Sequence, residues 1–421
     1  MYKVTNVYTI CAFAAIGGGL FGFDISSMSG VLGTKAYQRY FDNPLGYRQG
    51  GITCAMPAGS FLGALVSSFI ADRYSRKVSI QIACVIWVIG AIIQTACNGV
   101  GSLVAGRVIA GISVGITSSI VPVYQSEISP KEIRGRIVSL QQWAITWGIL
   151  IQYFIQYGAS FTGGGPKNPN QGTAAFRIPW GVQMVPAIIL FCGLFFFPKS
   201  PRWLASKDCW EEAVRVLADL HANGDTNHPK VLAEYQEIEE AIRFDREEAA
   251  SSFAQLTEPR ILKRVVLGMS IQMWSQLCGM NIMNPSEIFP SKVRAKAVSL
   301  ATASNWAWNC ALAFAVPPLL RNINWKMYMI FGSFNGAALI HMFLTAPETK
   351  GRTLEEMDEV FDSGIPAWRK VPVASRLDRL QKDIEIGNLK IVAPTSSSSP
   401  AAAADHTTAV AHSEPLSDQK I

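Results

Sequence analysis

Asp24 stands in one apolar run, FGFDISSMSG at 21–30, and Arg107 stands in another, AGRVIAGISVG at 105–115. A charge at bilayer depth is costly unless it is paired or neutralised, so the arginine is the evident partner for the aspartate. An aspartate beside a guanidinium has a lowered pKa, and separating the two raises it again. Such a pair is a proton switch tied to conformation. Two plainer readings stay open. Asp24 could be a polar group at a helix end beside Ser26 and Ser27. Arg107 could be an arginine snorkelling to the interface from the start of its span.

A second set of charges occurs twice. SEISPKEIRGRIVSL at 126–140 and SEIFPSKVRAKAVSL at 286–300 share 8 of 15 letters, and both copies keep seven residues between glutamate and arginine. Glu127, Arg134 and Arg136 come from the first copy, Glu287 and Arg294 from the second. With Asp72, Arg73, Arg76 and Glu348, they suit ion pairs between helix ends that hold one face closed and break as it opens. The alternative is that these charges only anchor topology.

The elements that must carry these residues are membrane spans. With 49% hydrophobic and 16% charged residues, the 421-residue chain is too apolar for an ordinary soluble domain. The net charge of +6 is modest and no basic face is visible, which argues against nucleic acid. About 20 apolar residues cross a bilayer as helix. Candidate spans are 8–31, 50–71, 78–98, 100–122, 137–158, 178–197, 264–283, 297–318 and 325–346. Connections after the second and fourth carry Arg73, Arg76, Lys77 and Lys131, Arg134, Arg136, which predicts those loops and the N-terminus to be cytoplasmic. Lys35, Arg39, Arg48, Lys167 and Arg177 weaken that pattern slightly. Gly18/Gly22, Gly59/Gly63 and Gly111/Gly115 predict close helix approach. The eight cysteines are scattered and read as small core residues rather than a disulfide frame or metal site.

The chain divides as 1–198, a six-helix bundle; 199–262, cytoplasmic linker helices; 263–349, an incomplete second bundle; and 350–421, a cytoplasmic tail. The tail is largely disordered, with disorder expected from about Val371 onward. The repeat exposes a deficit. About 118 residues precede Ser126 from the first span, but about 23 precede Ser286 from the start of the matching span near Lys263. Nine crossings would put SKVRAK outside while its twin is inside. Either spans are absent at 283/284, where NIM meets NPSEIFP, or 264–283 does not cross.

Several motifs then act together: ADRYSRK at 71–77, PVYQSEISPKEIRGR at 122–136, PKSPRWL at 198–204, QLCGMN at 276–281, SNWAWN at 304–309 and PETKGRT at 347–353. With FGFDISSMSG, they resemble the sugar porter family of the major facilitator superfamily, in particular fungal high-affinity hexose–proton symporters. The resemblance implies an all-α major facilitator fold with a complete first bundle. The rest of the seventh helix and helices eight to ten would be missing. It implies that Asp24 takes the proton and Arg107 tunes it. It places Gln142, Gln276, Asn281, Asn305 and Trp306 at a sugar site, where amides and an aromatic face suit a neutral polyol. Ser275 stands where the family usually has a glutamine, and Ser68 and Ser75 where it has glycines.

The expected function is proton-coupled hexose transport in the plasma membrane by a monomer with both termini cytoplasmic. A transporter-like sugar sensor and a truncated, non-transporting product are the alternatives. The partners are the sugar, protons and the lipid bilayer; no catalytic residue, cofactor or metal site is expected.

Overall fold

The computed structural model describes residues 4–44, 47–166, 168, 170–247, 258–278, 288–289, 293–348, 357–362, 365–369 and 376–386. Among these residues all regular structure is helical. α1 (Val7–Ala14) and α2 (Ile16–Leu32) join at Ala15 into one span, followed by the short α3 (Lys35–Tyr40). The long α4 (Tyr47–Tyr74), α5 (Arg76–Thr95), α6 (Val100–Ile128) and α7 (Arg134–Ser160) come next. α8 (Ala174–Val182), α9 (Met184–Gly193) and a 3-10 turn (Leu194–Phe196) follow one another as one apolar segment. The linker folds as α10 (Pro201–Ser206), α11 (Trp210–His221) and α12 (Pro229–Glu247). After it stand α13 (Pro259–Leu277), α14 (Arg294–Ile323), α15 (Lys326–Thr345), α16 (Met357–Asp362) and α17 (Arg376–Glu385).

Among the described residues, six helical segments are long and apolar enough to cross a membrane: Val7–Leu32, α4, α5, α6, Ala174–Phe196 and α15. α7, α13 and α14 occupy the other three predicted spans but are more polar, as Gln141, Gln142, Gln152 and Gln156 on α7 illustrate. α6 runs at the centre against α4 and α5, and α2 lies against α7. The glycine pairs explain how closely these helices meet. A Cβ at Gly59 or Gly63 would collide with the α6 carbonyls of Val108 or Ile112, and one at Gly111 or Gly115 with those of Met56 or Ser60 on α4. Backbone therefore touches backbone along this seam, giving the dispersion contact that association inside lipid relies on.

The second half is thinner. The apolar window of Val7–Leu32 is 72% buried within the molecule, that of α15 only 11%. α13 and α14 also run in the same direction: Met269 meets Ser304, and seven residues on Gln276 meets Asn305 and Asn309. Consecutive helices joined by a short loop are normally antiparallel. The parallel pair is the geometric sign that the crossings between them are absent.

Two expectations are corrected. Cys54 on α4 and Cys310 on α14 form a disulfide, so these two cysteines are not passive core fillers. Their 256-residue separation hid the pairing, because spacing motifs register only local sequence. The tail is also ordered further than composition predicts. α17 forms beyond Val371 and packs on α12, with Ile384 against the linker core of Leu204, Val214, Leu217 and Val231.

Candidate functional site

Arg107 reaches across from α6 with its Nη2 3.2 Å from Asp24 Oδ2 on α2, and both side chains are almost fully buried. Its Nε donates to the Ile52 carbonyl of α4 at 3.1 Å, so one guanidinium ties three helices. Ile52 lies five residues before Pro57, within the first turns of α4. Asp24 Oδ1 has no hydrogen-bond partner among the described residues. The buried carboxylate thus has one oxygen on a cation and the other without a hydrogen bond among the described residues. The helix-end and snorkelling readings do not fit this geometry, since both charges lie inside the bundle and face each other.

A polar cluster joins α13 to α14. Gln276 Nε2 donates to Asn305 Oδ1 at 2.7 Å, and Asn309 Nδ2 donates to Gln276 Oε1 at 2.9 Å. Asn309 was not singled out from the sequence; its place four residues after Asn305, one helical turn on, is the signal that could have found it. Trp306 points the other way. Its ring is fully buried, edge-to-face with Phe21 of α2 at 4.9 Å, and its Nε1 donates to Ser118 Oγ of α6 at 3.2 Å. It thus stitches the second half to the first. Gln142 is half-buried on α7, a separate element from the amide cluster. Asn281 and Glu287 lie outside the described residues.

The charged motifs gather at the opposite end of the helices from Tyr47. Arg76 bridges Asp72 at 3.5 Å and Glu127 at 3.1 Å, and Glu127 also accepts from Ser200 Oγ. Arg134 Nε donates to the Ser126 carbonyl at 3.2 Å, and Arg294 Nε donates to the Phe289 carbonyl at 3.2 Å. Each repeat arginine thus fastens the loop of its own repeat. Arg294 also lies within electrostatic reach of Glu127, Arg134, Arg202 and Arg76, which brings the second half into the first half's charge cluster. Arg73 lies over the Tyr74 ring, and Glu348 is exposed beyond α15.

The linker is clamped to this end by a group the sequence did not advertise. His221 Nδ1 is 2.6 Å from Glu234 Oε2 and its Nε2 3.1 Å from the Ile128 carbonyl at the end of α6. Both partners only accept, so both ring nitrogens must donate, which requires the imidazolium. Burial lowers the His221 pKa, but the Glu234 carboxylate and the Ile128 carbonyl outweigh it and hold it above the ordinary value. Burial likewise works against ionised Glu234, while His221 pulls its pKa net below the usual range.

This arrangement defines a class before any comparison: a helical membrane protein with a buried ion pair, an amide cluster between two helices and a charged clasp at one end. The model of the family described as "Sugar (and other) transporter" matches residues 10–285 and 282–361, and the chain belongs to that family. That family is one of transporters rather than enzymes. An MFS glucose transporter, mfs1, of Aspergillus flavus is 54% identical over 509 aligned positions, covering 93% of this chain and 96% of the relative. A high-affinity glucose transporter of Kluyveromyces lactis is 36% identical, with 87% of each chain covered. The solved proton:xylose symporter XylE bound to 6-bromo-6-deoxy-D-glucose shares the fold, with TM-score 0.73 at 21% identity over 86% of this chain and 100% of the other. The family match breaks at the predicted join, and the 509 aligned positions exceed the 421 residues available. An internal stretch of the relatives has no counterpart here.

Proposed function

We propose that this chain is built for proton-coupled hexose transport by alternating access. The observation that carries the reading is the buried Asp24–Arg107 pair with its unpaired carboxylate oxygen. Protonation of Asp24 would release Arg107 and, through the Ile52 carbonyl, loosen α4. A neutral polyol would exchange hydrogen bonds with Gln276, Asn305, Asn281 and Gln142, amides that both donate and accept. Trp306 would wall the site against the first bundle. Asp72, Arg73, Arg76, Glu127, Arg134, Glu287, Arg294 and Glu348 would close the end facing the cytoplasm and separate as the halves rock. The glucose transporter names of two relatives support the substrate class. We place the termini on the cytoplasmic side on the basic loops, and read the protein as a monomer of the plasma membrane.

The test is uptake of labelled D-glucose by vesicles containing the purified chain, with the outer side acid. Concentrative uptake abolished by a protonophore is expected. Asp24→Asn should lose accumulation while keeping sugar exchange, and unchanged accumulation would remove Asp24 from coupling. Gln276→Ala should weaken glucose affinity about tenfold, the worth of one hydrogen bond to a buried polar partner; unaltered affinity would remove Gln276 from the site. A second reading is favoured by the parallel α13 and α14: the chain folds but does not transport. Absence of uptake beside intact glucose binding would select it.

A further inference from the structure

The Cys54–Cys310 pair joins the two halves of the molecule, and nothing in the proposed transport cycle uses it. Cys54 is buried on α4 and Cys310 is half-buried on α14. Their Cα atoms are 5.1 Å apart, inside the range a disulfide spans without backbone movement. Cys54 lies 20 residues before the end of α4 at Tyr74, about 30 Å along the helix axis. Cys310 lies 16 residues after the start of α14 at Arg294, about 24 Å along. Tyr74 and Arg294 both belong to the charged end, so the pair sits in the far half of the bundle. Phe314, one turn beyond Cys310, lies against Gly50, one turn before Cys54.

The surroundings tie this contact to both halves of the candidate site. Ile52, two residues from Cys54, supplies the carbonyl that Arg107 holds. Trp306 and Asn309, within one turn of Cys310, belong to the interhelical contacts described above. A covalent bond at this point holds α4 to α14 where the charged clasp cannot reach. The remaining described cysteines are free: Cys11, Cys84, Cys97, Cys192, Cys209 and Cys278.

We propose that Cys54 and Cys310 form a redox latch that locks α4 against α14 and keeps the cleft shut at the end away from the charged clasp. The latch rests on the alternating-access reading for its effect on transport, but not for its effect on the two helices. Closing it takes a peroxide-class oxidant: two thiols and hydrogen peroxide give one disulfide and two waters. A dithiol reductant opens it, leaving two protein thiols and its own disulfide. On the orientation set by the basic loops, the latch faces the oxidising outer side of the membrane.

The test uses the full chain purified in detergent and treated either with dilute hydrogen peroxide or with dithiothreitol. After unfolding in N-ethylmaleimide, intact mass should show six adducts in the oxidised chain and eight in the reduced one, matching the six free cysteines and eight in total. Peptide mapping should link Cys54 to Cys310; eight adducts after peroxide, or another pairing, overturns the proposal. Amide exchange across 50–58 and 306–316 should be at least about tenfold slower in the oxidised chain, because the latch suppresses local opening. Cys54→Ala and Cys310→Ser should exchange like the reduced chain under both treatments, and equal exchange in both redox states of the unmutated chain overturns the latch. In vesicles, peroxide should slow glucose uptake and dithiothreitol restore it. Uptake present but indifferent to redox state overturns the latch's role in the cycle. Uptake absent in both states sinks the transport reading instead, and amide exchange alone then decides the latch.

Discussion

At the residue scale the molecule holds its charges by geometry rather than by number. Asp24 and Arg107 satisfy each other only in part: Asp24 Oδ1 and Arg107 Nη1 have no hydrogen-bond partner among the described residues. Removing one member of a buried pair costs about 3–5 kcal/mol because the other charge is stranded. Asp24→Asn also strands Arg107 but keeps the shape and a hydrogen-bond acceptor, so it is the least disruptive neutral change. Ser75 shows a different strain. Its φ of 94° at the start of α5 is a backbone conformation that glycine tolerates and side chains resist. Its hydroxyl is buried with no hydrogen-bond partner among the described residues. The glycine usual at this point in the resembled family therefore has a physical reason. Ser75→Gly should raise stability by about 1–3 kcal/mol, read as a higher melting temperature of the purified chain. A lower melting temperature would mean that the hydroxyl has a role the geometry does not explain.

Helices pack here by what their small residues permit. The α4–α6 seam leaves no volume at Gly115, where a Cβ would meet the Ser60 carbonyl and the Ala64 nitrogen of α4. Both are backbone atoms that cannot swing aside. Gly115→Val should therefore destabilise by about 3 kcal/mol or more and lower the yield of monodisperse protein. Gly101, on the same helix, has nothing within 4 Å of its would-be Cβ. Gly101→Ala should gain about 1 kcal/mol from helix propensity alone. Thermal unfolding of the two variants side by side separates a packing seam from a generic dislike of substitutions in α6.

On the scale of the whole molecule, one half is complete and the other is borrowed from contacts with it. α14 docks on α4 and α6, Trp306 on Phe21, and the linker on the end of α6, so the first bundle organises much of the second half and the linker. The linker's hold depends on pH. His221 has a folded pKa above its ordinary 6.5, so its contribution is complete below that value and is lost as pH rises through the raised one. Glu234 has a folded pKa below 4.5, so its contribution is complete above that value and is lost as pH falls through the lowered one. The clamp is strongest between those limits. Raising pH from about 6 to about 9 should loosen α11 and α12 by about 1–2 kcal/mol, the size of a charge-assisted pair at a helix C-terminus. Amide exchange in residues 210–243 is the measurement. His221→Gln should remove the pH dependence, and a persistent dependence would place the switch on another group.

The sequence by itself marked nine apolar stretches, all helical among the described residues, and six of them are long and apolar enough there to cross a bilayer. They were legible because the length and apolarity a bilayer demands are local properties. The sequence also determined the family, through motifs such as SNWAWN and PKSPRWL, and the break near 283/284, through the unequal spacing of its repeat. Asp24 and Arg107 were legible as partners because a lone charge in an apolar run needs a counter-ion. Tertiary structure alone decided how far each expectation holds. The pairing of Cys54 with Cys310, the imidazolium at His221 and the inward turn of Trp306 depend on which helix faces are brought together across up to 256 residues. No local period or spacing encodes that, because the contact is a property of two surfaces and not of either segment.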